Sequence, residues 1–229
     1  MAVYQLDDEL WFPDPHLGED DGFVAIGGDL SVERLLLAYC HGFFPWFAYR
    51  YSAEPQWYCP LDRFVIFPKE IHISHSMRQM MRRNEYALTI NRDFDGVIRG
   101  CASVNGRDGH SCAWLGPDII AAYTELYRQG YAFSVEVWRG GVGKQLDGAE
   151  LVGGLYGVSV CNAFFGESMF SLVPDASKLA LIFLARVIDK LGMSFIDCQF
   201  ETPHLRSMGG RHITYDEYMD MLTAKYTPD

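Results

Sequence analysis

The chain has 229 residues, of which 49% are hydrophobic and 21% charged, and carries a formal net charge of −11. That composition builds a core, fits one large domain or a medium domain with a small companion, and excludes a disordered chain. The acidic balance argues against nonspecific binding to nucleic acid, and no apolar run reaches the length of a membrane-spanning helix.

Residues 1–30 hold eight acids and no Lys or Arg. They lack the basic stretch followed by an apolar one that marks a signal peptide, so a cytoplasmic location and no membrane contact are expected. The first sixty residues are rich in Pro, Gly and aromatics. One helix fits there: Ser31 caps it, Leu35, Leu36, Tyr39 and Cys40 form its stripe, and Gly42 stops it. A small loop-rich N-terminal domain over 1–64 is expected, with a second domain over 65–229.

The stretch "HISHSMRQMMRRNEY" predicts a helix capped by Ser74 or Ser76, with Met77, Met80 and Met81 inward. Arg78 and Arg82 then share an outward face, with Arg83 beside them. Residues 50–107 hold nine Lys/Arg against six Asp/Glu, and such a local patch can bind phosphate on an acidic protein. A further helix spans 118–130, with Ile119, Tyr123 and Leu126 on one face. Residues 132–138, 151–160 and 162–170 read as consecutive antiparallel strands. A helix follows, capped by Asp175, turning Leu179, Phe183, Arg186 and Val187 to one side and ending at Gly192. "SFIDCQF" returns as a strand, and "TYDEYMDMLTAKY" closes the chain as a helix. The order predicts an α/β or α+β sheet.

Two carboxylates stand among apolar residues: Glu167 in "FFGESMF" and Asp197 in "SFIDCQF". An unpaired buried carboxylate is costly. Strand alternation puts Asp197 and Gln199 on one face, and Phe165, Glu167 and Met169 on another. If the two strands are neighbours, two carboxylates and a carboxamide converge on an apolar cleft. The same carboxylates also fit as hydrogen-bonded core groups. HExxH, GxSxG and GxxxxGK[ST] are all absent, which disfavours a zinc enzyme, a serine hydrolase and a P-loop enzyme. The six cysteines (Cys40, Cys59, Cys101, Cys112, Cys161, Cys198) show no metal spacing and are expected to be reduced thiols.

The stretches "AIGGDLSVERLLLAYCHGFFPWF", "SVEVW", "LVGGLYGV", "FFGESMFSLVPDASKLAL" and "IDCQ" followed by "HLRSMGG" occur in this order. On them the chain resembles the leucyl/phenylalanyl-tRNA–protein transferase family. The resemblance implies transfer of leucine, phenylalanine or, less well, methionine from aminoacyl-tRNA to proteins with N-terminal Arg or Lys. It also implies a GCN5-related N-acetyltransferase-like fold for 65–229, no cofactor and a monomer. The alternative on such a fold is an acyl-CoA-dependent N-acyltransferase. Asp197, Gln199 and Glu167 become the catalytic group. Leu155, Phe164, Met169, Leu181, Leu184 and Ile196 become the amino-acid pocket. Alternation separates Phe164 from Met169, and a bulge at Gly166 would reunite them. Tyr39, Trp46, Trp114 and Tyr123 are the expected stacking surface for the terminal adenosine, and Lys69, Arg78, Arg82 and Arg83 the expected tRNA phosphate contacts.

Overall fold

The computed structural model describes residues 3–46, 54–105, 116–140 and 146–224. Along the first part of the chain run β1 (Tyr4–Leu6), β2 (Phe23–Gly27), α1 (Val32–Cys40), β3 (Phe44–Pro45), β4 (Gln56–Tyr58) and β5 (Asp62–Ile66). Then come α2 (His75–Arg83), β6 (Tyr86–Ile90), α3 (Phe94–Asn105), α4 (Pro117–Arg128), β7 (Ala132–Arg139), β8 (Glu150–Val160) and β9 (Ala163–Ser171). The last elements are α5 (Ala176–Lys190), β10 (Phe195–Asp197), α6 (Pro203–Ser207), β11 (Arg211–Thr214) and α7 (Tyr215–Thr223). The strands form two mixed sheets, one ordered β1-β2-β4-β3 and one ordered β11-β5-β10-β9-β8-β7-β6. The class is α+β, within the range expected.

The strands β7, β8 and β9 form the antiparallel run that alternation predicts. Between β9 and β10 the pairing is parallel. Parallel neighbours need a crossover, and α5 supplies it. The large sheet separates two cores. On one side Tyr156, Val158, Phe165 and Phe170 pack with α3, α4, α1 and the small sheet. On the other, Val135, Leu155, Phe164 and Ile196 pack with α5 and Met77 of α2. Burial on both faces explains why "LVGGLYGVSV" is nearly all apolar. The first core joins Leu6, Tyr39 and Trp57 to Phe165 and Phe195. The small sheet therefore lies against the large one, and the division expected at 64/65 falls inside β5.

Two caps are as expected. The Ser31 hydroxyl accepts from the Arg34 amide at 3.3 Å, and Ser74, rather than Ser76, accepts from the Met77 amide at 3.2 Å. The cap of α5 differs. Asp175 has a left-handed backbone (φ 65°) and no capping bond; its carboxylate instead meets Lys178 Nζ at 2.6 Å. Ser171 at the end of β9 accepts from the Ser177 amide at 2.8 Å. The inward side of α5 is also broader than the expected stripe. It includes Leu179, Leu181, Ile182, Leu184, Ala185 and Ile188, while Arg186 is exposed. A helix crossing a sheet covers more than one turn-to-turn row.

The bulge in β9 is present. Tyr156 faces Ser168 but Gly157 faces Gly166, so Glu167 is the extra residue. The extra residue reverses the alternation. Phe164 and Met169 therefore both meet the α5 core, and Phe165 goes to the other. The expected grouping of Phe165 with Met169 on one face is corrected by this slip. Opposite the bulge, Gly157 has no room for a Cβ, which would strike the Phe165 carbonyl oxygen and the Phe164 ring.

Candidate active site

β10 stops at Asp197, opposite Phe165 of β9 and Val65 of β5, while β9 continues to Ser171. The sheet parts where the pairing ends, and a cavity of about 290 Å³ lies there. Leu155, Met169, Leu181, Leu184 and Ile196 line it, which gathers five of the six residues expected for an apolar pocket. Phe164 packs in the same core without lining the cavity. Its rim is polar: Glu167 and Ser168 on the bulge, and Gln199, Thr202 and His204 after β10.

Asp197 is fully buried. Arg63 Nε lies 2.9 Å from Oδ1 and 3.0 Å from Oδ2, and Arg63 Nη2 lies 2.7 Å from Oδ2. Tyr218 donates to Oδ2 at 2.8 Å, and the Gln199 amide donates to Oδ1 at 2.8 Å. A forked pair whose carboxylate takes further donors tolerates burial, and on the arginine side Nη1 alone is left without a hydrogen-bond partner among the described residues. Asp197 therefore acts on its surroundings as a fixed charge and an anchor for the Gln199 backbone. Neither Arg63 nor Tyr218 was expected. The signal for Arg63 is a lone arginine inside the apolar run "RFVIF".

Gln199 lies beyond β10, with a left-handed backbone (φ 64°). The expected alternation of Asp197 and Gln199 along one strand is corrected: the strand has only three residues, and the chain turns at Cys198. The hydrogen bond from the Gln199 backbone N–H to the Asp197 carboxylate closes that turn, as aspartates do two residues ahead. A non-glycine residue at positive φ is uncommon and is held by its contacts. Here the turn aims the carboxamide at the pocket, and Nε2 donates to Glu167 Oε1 at 3.3 Å.

Glu167 is 7% exposed. Tyr39 donates to Oε1 and Tyr123 to Oε2, each at 2.7 Å, and the two phenol oxygens are 2.5 Å apart. Four oxygens thus make three contacts. With Glu167 ionised only two protons serve them; with Glu167 protonated there are three. Burial lifts the Glu167 carboxyl to about 7, against the two tyrosine hydrogen bonds and with help from the Asp197 charge. The same burial raises both tyrosine hydroxyls well above their ordinary value, so they remain donors.

These contacts revise the stacking surface. Tyr39 and Tyr123 expose none of their surface, so neither ring offers a face to a base. Trp46 is partly exposed and packs on Phe200, with ring centroids 4.8 Å apart, beside Gln199. Trp114 lies outside the described residues. On α2, Arg78, Arg82 and Arg83 are exposed, as is Lys69. Arg78 and Arg82 line a groove with Arg186 of α5, a neighbour the sequence did not suggest.

The class of the protein follows from its relatives. The curated relatives it matches are enzymes that move an aminoacyl group, and the chain is an aminoacyltransferase. It belongs to the leucyl/phenylalanyl-tRNA protein transferase family, whose description matches residues 65–223, with the N-terminal domain of that family matching residues 28–61. The leucyl/phenylalanyl-tRNA–protein transferase of Syntrophobacter fumaroxidans is 46% identical over 97% of this chain and 90% of its own. Those of Anaeromyxobacter sp. (44% over 97% and 90%) and Nitrosomonas eutropha (46% over 89% and 82%) are similar. Among solved structures, L-PGS from Bacillus licheniformis has a TM-score of 0.39 at 13% identity, over 90% of this chain and 63% of that one.

Proposed function

We propose that this chain takes leucine, phenylalanine and, less well, methionine from aminoacyl-tRNA and joins them to proteins with N-terminal Arg or Lys, marking them for N-end-rule degradation. The observation that carries this reading is the apolar cavity with Gln199 and Glu167 on its rim. Leu155, Met169, Leu181, Leu184 and Ile196 give it an apolar wall, so an aliphatic, thioether or phenyl side chain fits against them and a polar one loses its solvation. Methionine in the wall adapts to more than one occupant.

The donor is an ester, already activated. The acceptor amine, with an ordinary pKa of about 7.7–8.0, must attack as the neutral form. The nitrogen bonds to the ester carbonyl carbon, the bond to the ribose 3′ oxygen breaks, and the amine proton leaves with that oxygen or to solvent. Gln199 Nε2 gives one N–H to Glu167, and the carboxamide oxygen, an acceptor, is the atom that takes a hydrogen bond from the amine. Asp197 holds the turn that presents it, and Arg63 and Tyr218 hold Asp197. Catalysis is then chiefly positioning. Glu167 serves the acceptor's cationic N-terminal residue and orients Gln199.

The terminal adenosine stacks on Trp46 and Trp114, and the acceptor-stem phosphates meet Lys69, Arg78, Arg82 and Arg83. A GCN5-related N-acetyltransferase-like fold for 65–229 fits the parted strands, and the protein works as a cytoplasmic monomer without a cofactor. Among the described residues no helix is long and apolar enough to cross a membrane. The test is transfer of labelled leucine from charged tRNA to a peptide beginning with Arg. Transfer to that peptide, and none to the same peptide beginning with acetyl-Arg, is expected. Turnover with acyl-coenzyme A in place of charged tRNA would overturn the reading.

A further inference from the structure

Two cysteines distant in sequence meet at the surface. Cys40 ends α1, and Cys161 begins the two-residue turn between β8 and β9. They are 121 positions apart, and their sulfurs are 2.7 Å apart. Cys161 is exposed and Cys40 partly so, whereas Cys59 and Cys101 are buried. The turn gives Cys161 a positive φ of 53°, where hairpins usually place Gly or Asn. The side chain is thereby directed at α1. Asn162, the other turn residue, fixes the hairpin end: it donates to Ser194 Oγ at 2.7 Å, and its amide donates to the Leu222 carbonyl at 3.2 Å.

We propose that Cys40 and Cys161 are a modification site, at which a low-molecular-weight disulfide such as glutathione disulfide oxidises the two thiols to a reversible intramolecular disulfide. The Cys40 thiolate attacks one sulfur of the reagent, whose S–S bond breaks and releases one thiolate, protonated by water. Cys161 then gives up its proton and attacks the Cys40 sulfur, expelling the second small thiol. Two protein thiols are oxidised, and one small disulfide is reduced to two thiols. The hydrogen bond from Cys161 pulls the Cys40 thiol down to about 7, against the opposing effect of burial. The attacking group is therefore substantially ionised near neutral pH, with its resolving partner already in contact. The bond ties α1 to the β8–β9 hairpin. It fixes Tyr39, the residue before Cys40, in the place from which it donates to Glu167.

The full chain and its Cys40→Ser and Cys161→Ser variants are incubated with excess glutathione disulfide, then mapped without reductant. In the parent we expect a mass lower by two hydrogens, no retained glutathione and a peptide cross-linked between Cys40 and Cys161. Dithiothreitol should reverse all three. The melting temperature should rise by about 5–10 °C, because the bond closes a long loop. Cys161→Ser should retain one glutathione on Cys40, and Cys40→Ser should form no internal cross-link. A parent that keeps bound glutathione, or a cross-link between other cysteines, overturns the proposal, and the parent's map decides this whether or not the variants fold.

Discussion

Arg63 and Asp197, 134 positions apart, form a forked ion pair with no solvent access: Arg63 Nε lies 2.9 Å from Oδ1 and Nη2 2.7 Å from Oδ2. The Arg63 guanidinium also lies 4.8 Å from the centre of the Phe44 ring and 5.0 Å from that of Tyr218. A strand of the large sheet, an aromatic of the small sheet and the last helix thus meet around one charge. Removing one partner of such a pair leaves the other charge buried and unpaired. Arg63→Met should destabilise the fold by about 3–5 kcal/mol, and Arg63→Met with Asp197→Asn should cost less than the single change. Urea denaturation of these two variants beside the parent checks both statements; a double variant that loses as much as the single one, or more, would contradict the pairing.

Glu167 should leave its mark on the pH dependence of stability. Its carboxyl is held at about 7 in the folded protein, against an ordinary 4.5. Below 4.5 both folded and unfolded chains carry the proton. Between 4.5 and 7 the unfolded chain gives it up first, so the folded state loses stability as pH rises; above 7 the loss is complete. At about 1.4 kcal/mol per unit, the whole effect is about 3 kcal/mol. Glu167→Gln removes it. The stability of that variant relative to the parent should rise by about this amount from pH 4.5 to 7.5, as read by denaturation at a series of pH values. A flat difference would mean that Glu167 titrates normally.

Gln199 and Asp197 should fail together. Asp197→Asn loosens the turn that presents Gln199, and Gln199→Glu sets a second carboxylate against Glu167. Each should lower turnover by more than tenfold with tRNA affinity changed only a few-fold. The double variant should lose much less than the product of the two, since both act through the same group. Rates on folded protein with saturating charged tRNA decide this, and multiplied losses would separate the two residues.

The pocket walls make a sharper claim. Met169→Ala should weaken leucine transfer through lost packing, by about tenfold in kcat/KM. Leu181→Asp should nearly abolish it, because the new charge has no partner in the cavity. Competition between leucyl- and alanyl-tRNA measures the effect; unchanged discrimination in both folded variants would place the amino acid elsewhere.

The basic helix is tested by salt. Replacing Arg78, Arg82 and Arg83 together by Ala should raise KM for charged tRNA and flatten its dependence on salt concentration, because fewer counterions are released. Adding Arg186→Ala should flatten it further, since Arg186 shares the groove. An unchanged slope would put the tRNA on another surface.

Much of this was legible in the sequence where the chain acts locally. Strand-forming runs between turn residues gave β7, β8 and β9, while the bulge that brings Met169 to the pocket was expected only because the family resemblance puts Phe164 and Met169 together; its extra residue is Glu167, one beyond Gly166. Leu181 and Leu184 share a face because three residues make almost one helical turn. What was not legible is set by distance along the chain. Arg63 cannot be matched to Asp197, or Tyr39 and Tyr123 to Glu167, without knowing which strands adjoin. A buried carboxylate does announce that donors must come from somewhere, and buried tyrosines are natural suppliers. Their rings suggested stacking, but their hydroxyls are what the fold uses. Gln199 was misjudged because alternation holds only while a strand lasts, and β10 lasts three residues.

The arrangement around Asp197 also orders events in the life of the molecule. Arg63 leaves the ribosome long before its counter-ion exists, and Tyr218 follows Asp197 by a further 21 positions. Until α7 has emerged and docked, the carboxylate lacks one of its donors and the Gln199 turn lacks a firm base. Helices such as α1 and α5 can form early from local contacts, whereas this junction waits for nearly the whole described chain. A truncated product lacking α7 would keep the residues that line the cavity but lose the Tyr218 donor that helps to anchor Asp197.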